Sequence, residues 1–163
     1  MEKKTEVQCK EDFSPENVLK VIRTINRVGM STDAKDWKTL RSLFYDQIEI
    51  DFGDVKGSQM INADDLVSWS EQSYKNMQTQ HMFTNHDVTI KGNKAEVITY
   101  GRALHKQRVS KGDDYWFIYN KYEHSLILTQ YGWKVARLKM TPTFEQGSST
   151  LIDQALEDNQ LKV

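Results

Sequence analysis

The chain is poor in the residues that crosslink proteins and in those that anchor them in membranes. Cys9 is the only cysteine among 163 residues, which excludes an intrachain disulfide and a zinc site built from several cysteines. No run of about 18 apolar residues is present, as a membrane-spanning helix would require, and the first residues lack the apolar stretch of a signal peptide. We therefore expect a soluble cytoplasmic protein without a membrane partner, with Cys9 as an unreactive thiol in a polar leader.

The chain also lacks an excess of charge of either sign. It has 22 basic and 23 acidic residues, for a net charge of −1, and no dense run of Lys and Arg. Nucleic-acid-binding domains usually carry a strong positive field. The composition therefore predicts no nucleic-acid partner.

Helical patterns dominate the first part of the chain. Residues 1–12 form the polar leader, and Ser14 followed by Pro15 is typical of a helix start. The apolar residues that follow have helical spacing: Val18, Val21, Ile22, Ile25 and Val28. Gly29 and the polar residues after it predict the end of this helix. Asp36 and Asn62 are suited to cap a second and a third helix, and Ser148 or Ser149 a last one.

Strand patterns dominate the second part. After a strand at 48–52, four runs at 80–90, 94–109, 115–130 and 133–144 are separated by short turns that contain glycine. Helices followed by a meander of strands predict an α+β fold. We expect a curved antiparallel sheet, shaped as a cone-like half-barrel, whose concave face is covered by the N-terminal helices and encloses a pocket. Residues 13–147 would form this domain, and 148–163 a C-terminal helical extension.

The histidines are the first candidates for chemistry. Because side chains alternate along a strand, His81 and His86 should face opposite sides of a regular strand and should not share a metal. His105 shares its face with small residues, which leave volume beneath the covering helices: Ala95, Val97, Thr99, Gly101 and Ala103. This pattern places His105 either in a pocket or, as an ordinary hydrogen-bonded histidine, at the sheet edge. No metal is predicted.

Asp33 falls where the first helix gives way to the second. Asp33 is either an ordinary turn or capping residue between the helices or a carboxylate that turns inward. Asp36 is better suited to the capping role. A carboxylate bonded to an imidazole fixes its tautomer, and such a pair can act as a general base. Asp33 is therefore the natural partner for a pocket histidine.

Several short motifs occur together in a familiar order. Residues 32–41 read TDAKDWKTLR, residues 79–81 read TQH, residues 104–107 read LHKQ and residues 132–134 read GWK. This pattern resembles the SnoaL-like and scytalone dehydratase-like branch of the nuclear transport factor two-like superfamily. The resemblance extends from about residue 17 to residue 140.

The resemblance implies a catalytic trio of Asp33, His81 and His105. It implies a cofactor-free dehydratase, isomerase or polyketide cyclase-like enzyme that acts by general acid–base chemistry on a small hydrophobic carbonyl compound. In our hypothesis Asp33 orients His105, and His81 acts as the acid or donor.

Two departures from the family pattern bear on the reaction. The dehydratases carry tyrosines where this chain has Thr32 and Phe52, and those phenols polarise the substrate carbonyl. Scytalone itself is therefore not expected as the substrate, and a related elimination, isomerisation or ring closure fits better. The aromatic residues that we expect to line or fill the cavity are Trp37, Phe52, Trp69 and Phe83. Four further residues that we expect to bind the ligand could replace the tyrosines: Asn85, Thr99, Tyr100 and Tyr122.

Two other interpretations remain open at this point. The chain could be a non-catalytic protein that binds a hydrophobic metabolite in the same pocket. It could also associate with itself as a dimer or trimer through the outer face of the sheet. The anchors of such an interface would be Ile98, Tyr100, Leu104 and Trp116.

Overall fold

The computed structural model describes residues 14–53, 57–109 and 112–160. The predicted leader, with Cys9, lies outside these ranges. Within them the helices are α1 (Pro15–Asp33), α2 (Trp37–Leu43), α3 (Ala63–Tyr74) and α4 (Leu151–Gln160). The strands are β1 (Phe44–Asp51), β2 (Gln59–Asn62), β3 (Gln78–Lys91), β4 (Lys94–Lys106), β5 (Tyr115–Thr129) and β6 (Gly132–Gly147).

The strands form a single sheet in the order β2-β1-β6-β5-β4-β3. Neighbouring strands are antiparallel, except that β1 runs parallel to β6. The predicted α+β class with helices packed on a sheet is confirmed, while the sheet is mixed rather than wholly antiparallel. Turn residues reveal only the pairing of consecutive strands, so they gave no sign that β1 would lie beside β6.

Three predicted helix caps are confirmed. The side chain of Ser14 accepts a hydrogen bond from the backbone N–H of Asn17, and that of Asp36 accepts one from Thr39. Asn62 caps α3 in the same way. Each cap satisfies a backbone donor that the first helical turn leaves unpaired.

The predicted end of the first helix is confirmed for the polar residues 31–33 but not for Gly29. Helix α1 continues through Gly29 to Asp33. A Cβ atom on Gly29 would lie 2.9 Å from Cβ of His81 and 3.1 Å from Cε2 of Phe83. Gly29 therefore allows a close approach of α1 to β3, which is an edge strand of the sheet.

The alternation predicted for β4 is confirmed, because His105 and the small residues on its face are buried. The prediction for His81 and His86 is wrong. A β-bulge between Thr84 and Asp87, with Asn85 in the left-handed conformation (φ 55°), adds one residue to β3. The extra residue resets the alternation, so His81 and His86 share a face.

The core lies between the helices and the concave face of the sheet, where α1 buries Val21 and Ile25. A smaller cluster holds α4 in place by packing Leu151 and Ala155, both fully buried, against the end of α3. No helix in the described ranges is both long enough and apolar enough to span a bilayer.

The outer face of the sheet carries a row of large side chains in register across four strands: Met82, Arg102, Tyr119 and Phe144. The Arg102 guanidinium lies 5.6 Å from the ring centre of Tyr119, and the Tyr119 and Phe144 rings are 5.5 Å apart. Trp116 does not belong to this face, because it is paired with His105 and stacks on its ring. Self-association through the outer face stays a prediction.

Candidate functional site

Two adjoining cavities lie between the helices and the concave face of the sheet. One has a volume of about 100 Å³ and is closed on one side by α1. The other, of about 380 Å³, extends along β4 and β5 towards α4. Both are lined mainly by apolar side chains, and the residues that they share are Phe52, Trp69, Tyr74, His81, Tyr122 and Met140. A mainly apolar hollow with few polar groups is typical of a small-molecule site.

His81 and Asp33 form a hydrogen-bonded pair at the junction of the cavities. Oδ1 of Asp33 lies 2.7 Å from Nδ1 of His81, and Oδ2 accepts the backbone N–H of His81 at 2.8 Å. The carboxylate is therefore held against β3 by both oxygens. Because an ionised carboxylate can only accept, Nδ1 carries the proton, and Nε2 is left as the acceptor nitrogen.

The surroundings of Asp33 favour its ionised form. Burial raises the pKa of Asp33, but the hydrogen bonds and the charge of His81, together with the Thr79 side chain, outweigh burial and hold that pKa below its ordinary value. Lys35 donates to the Thr79 hydroxyl at 3.2 Å. Burial lowers the pKa of Lys35 despite the opposing effect of Asp33.

The helix-junction sequence explains how these groups meet. Lys35 adopts the left-handed conformation (φ 57°), and the N–H of Asp36 bonds back to the carbonyl of Ser31 at 2.9 Å. This arrangement is a common way of ending a helix. It stops α1 directly after Asp33 and turns Lys35 towards β3.

His105 lies on the neighbouring strand and lines the larger cavity. Its ring stacks on Trp116 at 5.1 Å and meets the ring of His81 edge-on at 5.6 Å. Burial, with a smaller effect from the charge of His81, lowers the pKa of His105 to about 3. His105 is therefore a neutral imidazole at pH 7, and its Nδ1 has no hydrogen-bond partner within the described part of the chain.

The hypothesis that Asp33 orients His105 is wrong. Asp33 bonds to both the ring and the backbone of His81, because α1 packs on β3 and His105 lies one strand farther away. Asp33, His81 and His105 are nevertheless brought together at one site, as expected.

Of a row of polar groups along β5, the sequence predicted only Tyr122. Asn120, Tyr122 and His124 alternate along the strand on its buried face, and each is exposed by 4% or less. Nδ2 of Asn120 donates to the Tyr122 hydroxyl at 3.0 Å. The spacing N-x-Y-x-H inside a long strand is the signal that could have revealed this row.

The two positions that lack the family's tyrosines do not supply a hydrogen-bond donor. The hydroxyl of Thr32 donates to the carbonyl of Val28 at 2.9 Å inside α1, and Phe52 has no polar atom. Tyr74, another residue missed from the sequence, lines both cavities. Burial raises the pKa of Tyr74, so its phenol is protonated at pH 7.

The predicted ligand-binding residues separate into two groups. Those that line the cavities are Phe52, Trp69, Phe83 and Tyr122. Those that the structure places elsewhere are Trp37, Asn85, Thr99 and Tyr100. Of these, Tyr100 is 55% exposed on the outer face, Asn85 is exposed in the bulge, Thr99 is fully buried and Trp37 packs between the core clusters.

Within the described residues, no three or more His, Cys, Asp or Glu side chains are grouped so that they could hold a metal ion. Asp33 and His81 are only two groups, and they bond to each other. What this arrangement offers chemically is a fixed imidazole acceptor, a neutral second imidazole and buried phenols around an apolar hollow.

Replacing His124 by Phe should stabilise the protein. Neither ring nitrogen of His124 has a partner among the residues that the structure describes, and an unsatisfied buried polar group costs about 1–3 kcal/mol. Burial lowers the pKa of His124 to about 3. Below pH 6.5 the His124 ring is protonated in the unfolded chain but stays neutral in the folded protein. His124 therefore destabilises the folded state increasingly as the pH falls. The gain in the free energy of unfolding should therefore be about 2 kcal/mol larger at pH 5 than at pH 7.

Urea unfolding at both pH values measures this gain. The matched control is His86→Phe, since Nε2 of His86 is 3.1 Å from Oδ1 of Asn26 and its loss leaves that amide unpaired. The control should destabilise the protein at pH 7. Destabilisation by His124→Phe at both pH values would mean that the His124 nitrogens are satisfied in solution.

Comparison with known proteins bears on the fold and the family of this chain. The family model for the SnoaL-like domain matches residues 16–139, whereas no curated protein matches the chain significantly. Among solved structures, the Kfla4162 protein from Kribbella flavida is 23% identical, with a TM-score of 0.78 over 85% of this chain and 97% of that one. A hexachlorocyclohexane dehydrochlorinase is 15% identical, with a TM-score of 0.68 over 83% and 94% of the two chains.

A protein proposed to be a scytalone dehydratase, from Novosphingobium aromaticivorans, is 18% identical, with a TM-score of 0.68 over 83% of this chain and 92% of that one. At these identities the three structures show a shared fold alone. The family model, in contrast, covers most of the sequence. The chain therefore belongs to the SnoaL-like domain family.

Proposed function

We propose that this protein is a cofactor-free lyase or isomerase that removes a proton next to the carbonyl group of a small hydrophobic molecule. The observation that carries this proposal is the bond between Asp33 and His81 at the wall of an apolar cavity. A fixed imidazole beside a hollow of this kind is suited to general-base catalysis.

The proton transfers follow from the tautomer. Asp33 keeps the ring proton on Nδ1, so Nε2 of His81 takes the proton from the carbon next to the carbonyl, and the electron pair of that C–H bond moves into an enolate. In an elimination, the enolate expels a β-hydroxyl group, which leaves as water with the proton that His81 took. In an isomerisation, the same proton returns to another carbon. Either way the enzyme ends in its starting state.

His105 complements the base because it stays neutral. Its ring is 5.6 Å from that of His81 and lines the larger cavity, where an imidazole without charge can hydrogen-bond to the departing hydroxyl. Removing one positioned acid–base group typically costs about 10²–10⁴-fold in rate. In this proposal His105 places the leaving group, and the Asp33–His81 pair moves the proton.

The names of two structural neighbours support the same class of reaction. One is named as a dehydrochlorinase and the other is a protein proposed to be a scytalone dehydratase, and both names denote eliminations. The apolar walls, with Phe52 and Trp69 in contact at 6.1 Å between ring centres, favour a molecule that contains a ring. We therefore propose a cyclic carbonyl compound as the substrate class.

Exchange of α-protons tests the proposal without the natural substrate. Incubation of the purified protein with 1-indanone or 1-tetralone in D₂O, followed by proton NMR, should show faster loss of the α-proton signals than in buffer alone. His81→Gln should remove the acceleration, because the amide is not a base. No acceleration by the wild type on either ketone would overturn the proposal, and binding of these ketones without exchange would favour the hydrophobic ligand-binding protein instead.

A further inference from the structure

The larger cavity contains polar groups that the Asp33–His81 pair does not use. Asn120 and Tyr122 line it from β5. Asn120 is 1% exposed, and its Oδ1 has no hydrogen-bond partner in the described ranges. A buried amide oxygen without a partner is costly. Its position in the wall of a cavity indicates that a bound molecule satisfies it.

The ring of Tyr122 is held from several sides. Phe83 meets it edge-on at 5.1 Å, and His124 stacks on it at 5.8 Å with an angle of 9° between the ring planes. Gly101, on the adjacent strand, leaves the space that the ring occupies. A Cβ atom there would overlap Cε2 of Tyr122 and lie 2.9 Å from Cδ2. The ring therefore has one position, which fixes where its hydroxyl lies.

The bond from Asn120 determines what this hydroxyl can still do. Nδ2 of Asn120 donates to the phenol oxygen, so the hydroxyl proton is not needed for that contact and is free to point at another acceptor. Accepting one hydrogen bond also strengthens a hydroxyl group as a donor. Burial raises the pKa of Tyr122, although the bond from Asn120 opposes this effect, so the proton is present at pH 7.

We propose that Tyr122 is a catalytic hydrogen-bond donor to the substrate oxygen that gains negative charge when His81 removes the proton, and that Asn120 is its positioning residue. This inference rests on the proposed function and names the group that replaces the family's tyrosines, which are absent at Thr32 and Phe52. A donor that is fixed before the reaction stabilises the developing oxyanion without reorganisation. The Asn120 amide oxygen accepts from a hydroxyl group on the same ligand.

Binding of 4-nitrophenol tests the donor separately from proton removal. Its phenolate oxygen mimics the oxyanion, and its absorbance reports its ionisation. The variant Tyr122→Phe, which deletes only the hydroxyl, should weaken binding of the phenolate about tenfold. It should also raise the pH at which the bound probe ionises by about one unit. Tyr100→Phe, the same change on the outer face of the sheet, is the matched control and should alter neither quantity.

Asn120→Leu and Gly101→Ala test the positioning. Both should shift the ionisation of the bound probe in the same direction as Tyr122→Phe, which a purely structural role would not do. Circular dichroism reports whether each variant folds. If Asn120→Leu and Gly101→Ala do not fold, the result for Tyr122→Phe alone tests the role of the hydroxyl. Equal binding by Tyr122→Phe and the wild type, or no binding of millimolar probe to the wild type, overturns the inference.

The two proposals fail in distinguishable ways. Asp33→Asn should slow exchange of ketone protons about 10²–10⁴-fold while binding the phenolate at least as tightly as the wild type. Tyr122-dependent probe binding without exchange would support the donor and overturn the base. Exchange that depends on Asp33, with unchanged probe binding by Tyr122→Phe, would keep the base and overturn the donor.

Discussion

Replacing Asp33 by Asn should lower the rate of α-proton removal about 10²–10⁴-fold and leave the fold intact. The carboxylate accepts from Nδ1 and from the backbone N–H of His81. An amide that keeps its oxygen on the backbone N–H turns its NH₂ group towards Nδ1, which must then become the acceptor. The ring proton moves to Nε2, and the nitrogen that faces the substrate can no longer take a proton.

The ketone exchange assay measures this loss, and Asp36→Asn is its matched control. Asp36 is a carboxylate of the same helix junction, but its side chain caps α2 by accepting the N–H of Thr39 at 3.0 Å. Since Asn is about as good a cap as Asp, both exchange rate and stability should be unchanged. Wild-type exchange by Asp33→Asn would remove Asp33 from the mechanism.

Replacing Gly29 by Ala should destabilise the protein by about 1–2 kcal/mol and slow proton removal about 10- to 100-fold. In most helices this substitution stabilises by about 0.5–1 kcal/mol, because glycine has more freedom to lose on folding. Here the new Cβ would meet Cβ of His81 at 2.9 Å, an atom fixed to the backbone of β3. Helix and strand must move apart, which separates Asp33 from His81.

Urea unfolding and the exchange assay measure the two effects of Gly29→Ala. Met30→Ala is the control, because Met30 is the next residue of α1 and is 67% exposed. It should change the free energy of unfolding and the exchange rate only slightly. A stabilised Gly29→Ala variant would show that α1 does not need its close contact with β3.

Local patterns were enough to predict the helix caps and the buried face of β4. Ser14 and Asp36 act through atoms a few residues away, and His105 follows the two-residue period of its strand. The meeting of Asp33 with His81 depends instead on how α1 packs across β3. Sequence spacing alone did not determine which of the two histidines the carboxylate would reach.

The bulge in β3 explains the wrong prediction for His86. Alternation assigns faces correctly only as long as no residue is inserted, and Asn85 is such an insertion. Asn adopts the left-handed conformation more readily than most residues, but many Asn residues in strands do not. The side chains of His81 and His86 therefore lie on the same face of the sheet, although their positions in the sequence differ by an odd number.

The polar row on β5 was missed for a different reason. Tyr122 is predicted as a possible replacement for the absent tyrosines, but Asn120 and His124 are ordinary residues for an exposed strand. Only their burial makes their unsatisfied atoms informative. The two-residue spacing along β5 places Asn120, Tyr122 and His124 on one face, and this spacing can be read from the sequence.

Helix α4 has a consequence for how such proteins diversify. Ser149 and Ile152 form part of the wall of the larger cavity, at the end away from α1, yet they follow the stretch shared with the family, which ends at residue 139. In the proposed mechanism, the residues that move the proton, Asp33 and His81, and this wall of the cavity are therefore encoded in separate parts of the sequence. Substitutions at Ser149 or Ile152 would change which molecules fit the larger cavity without altering Asp33 or His81.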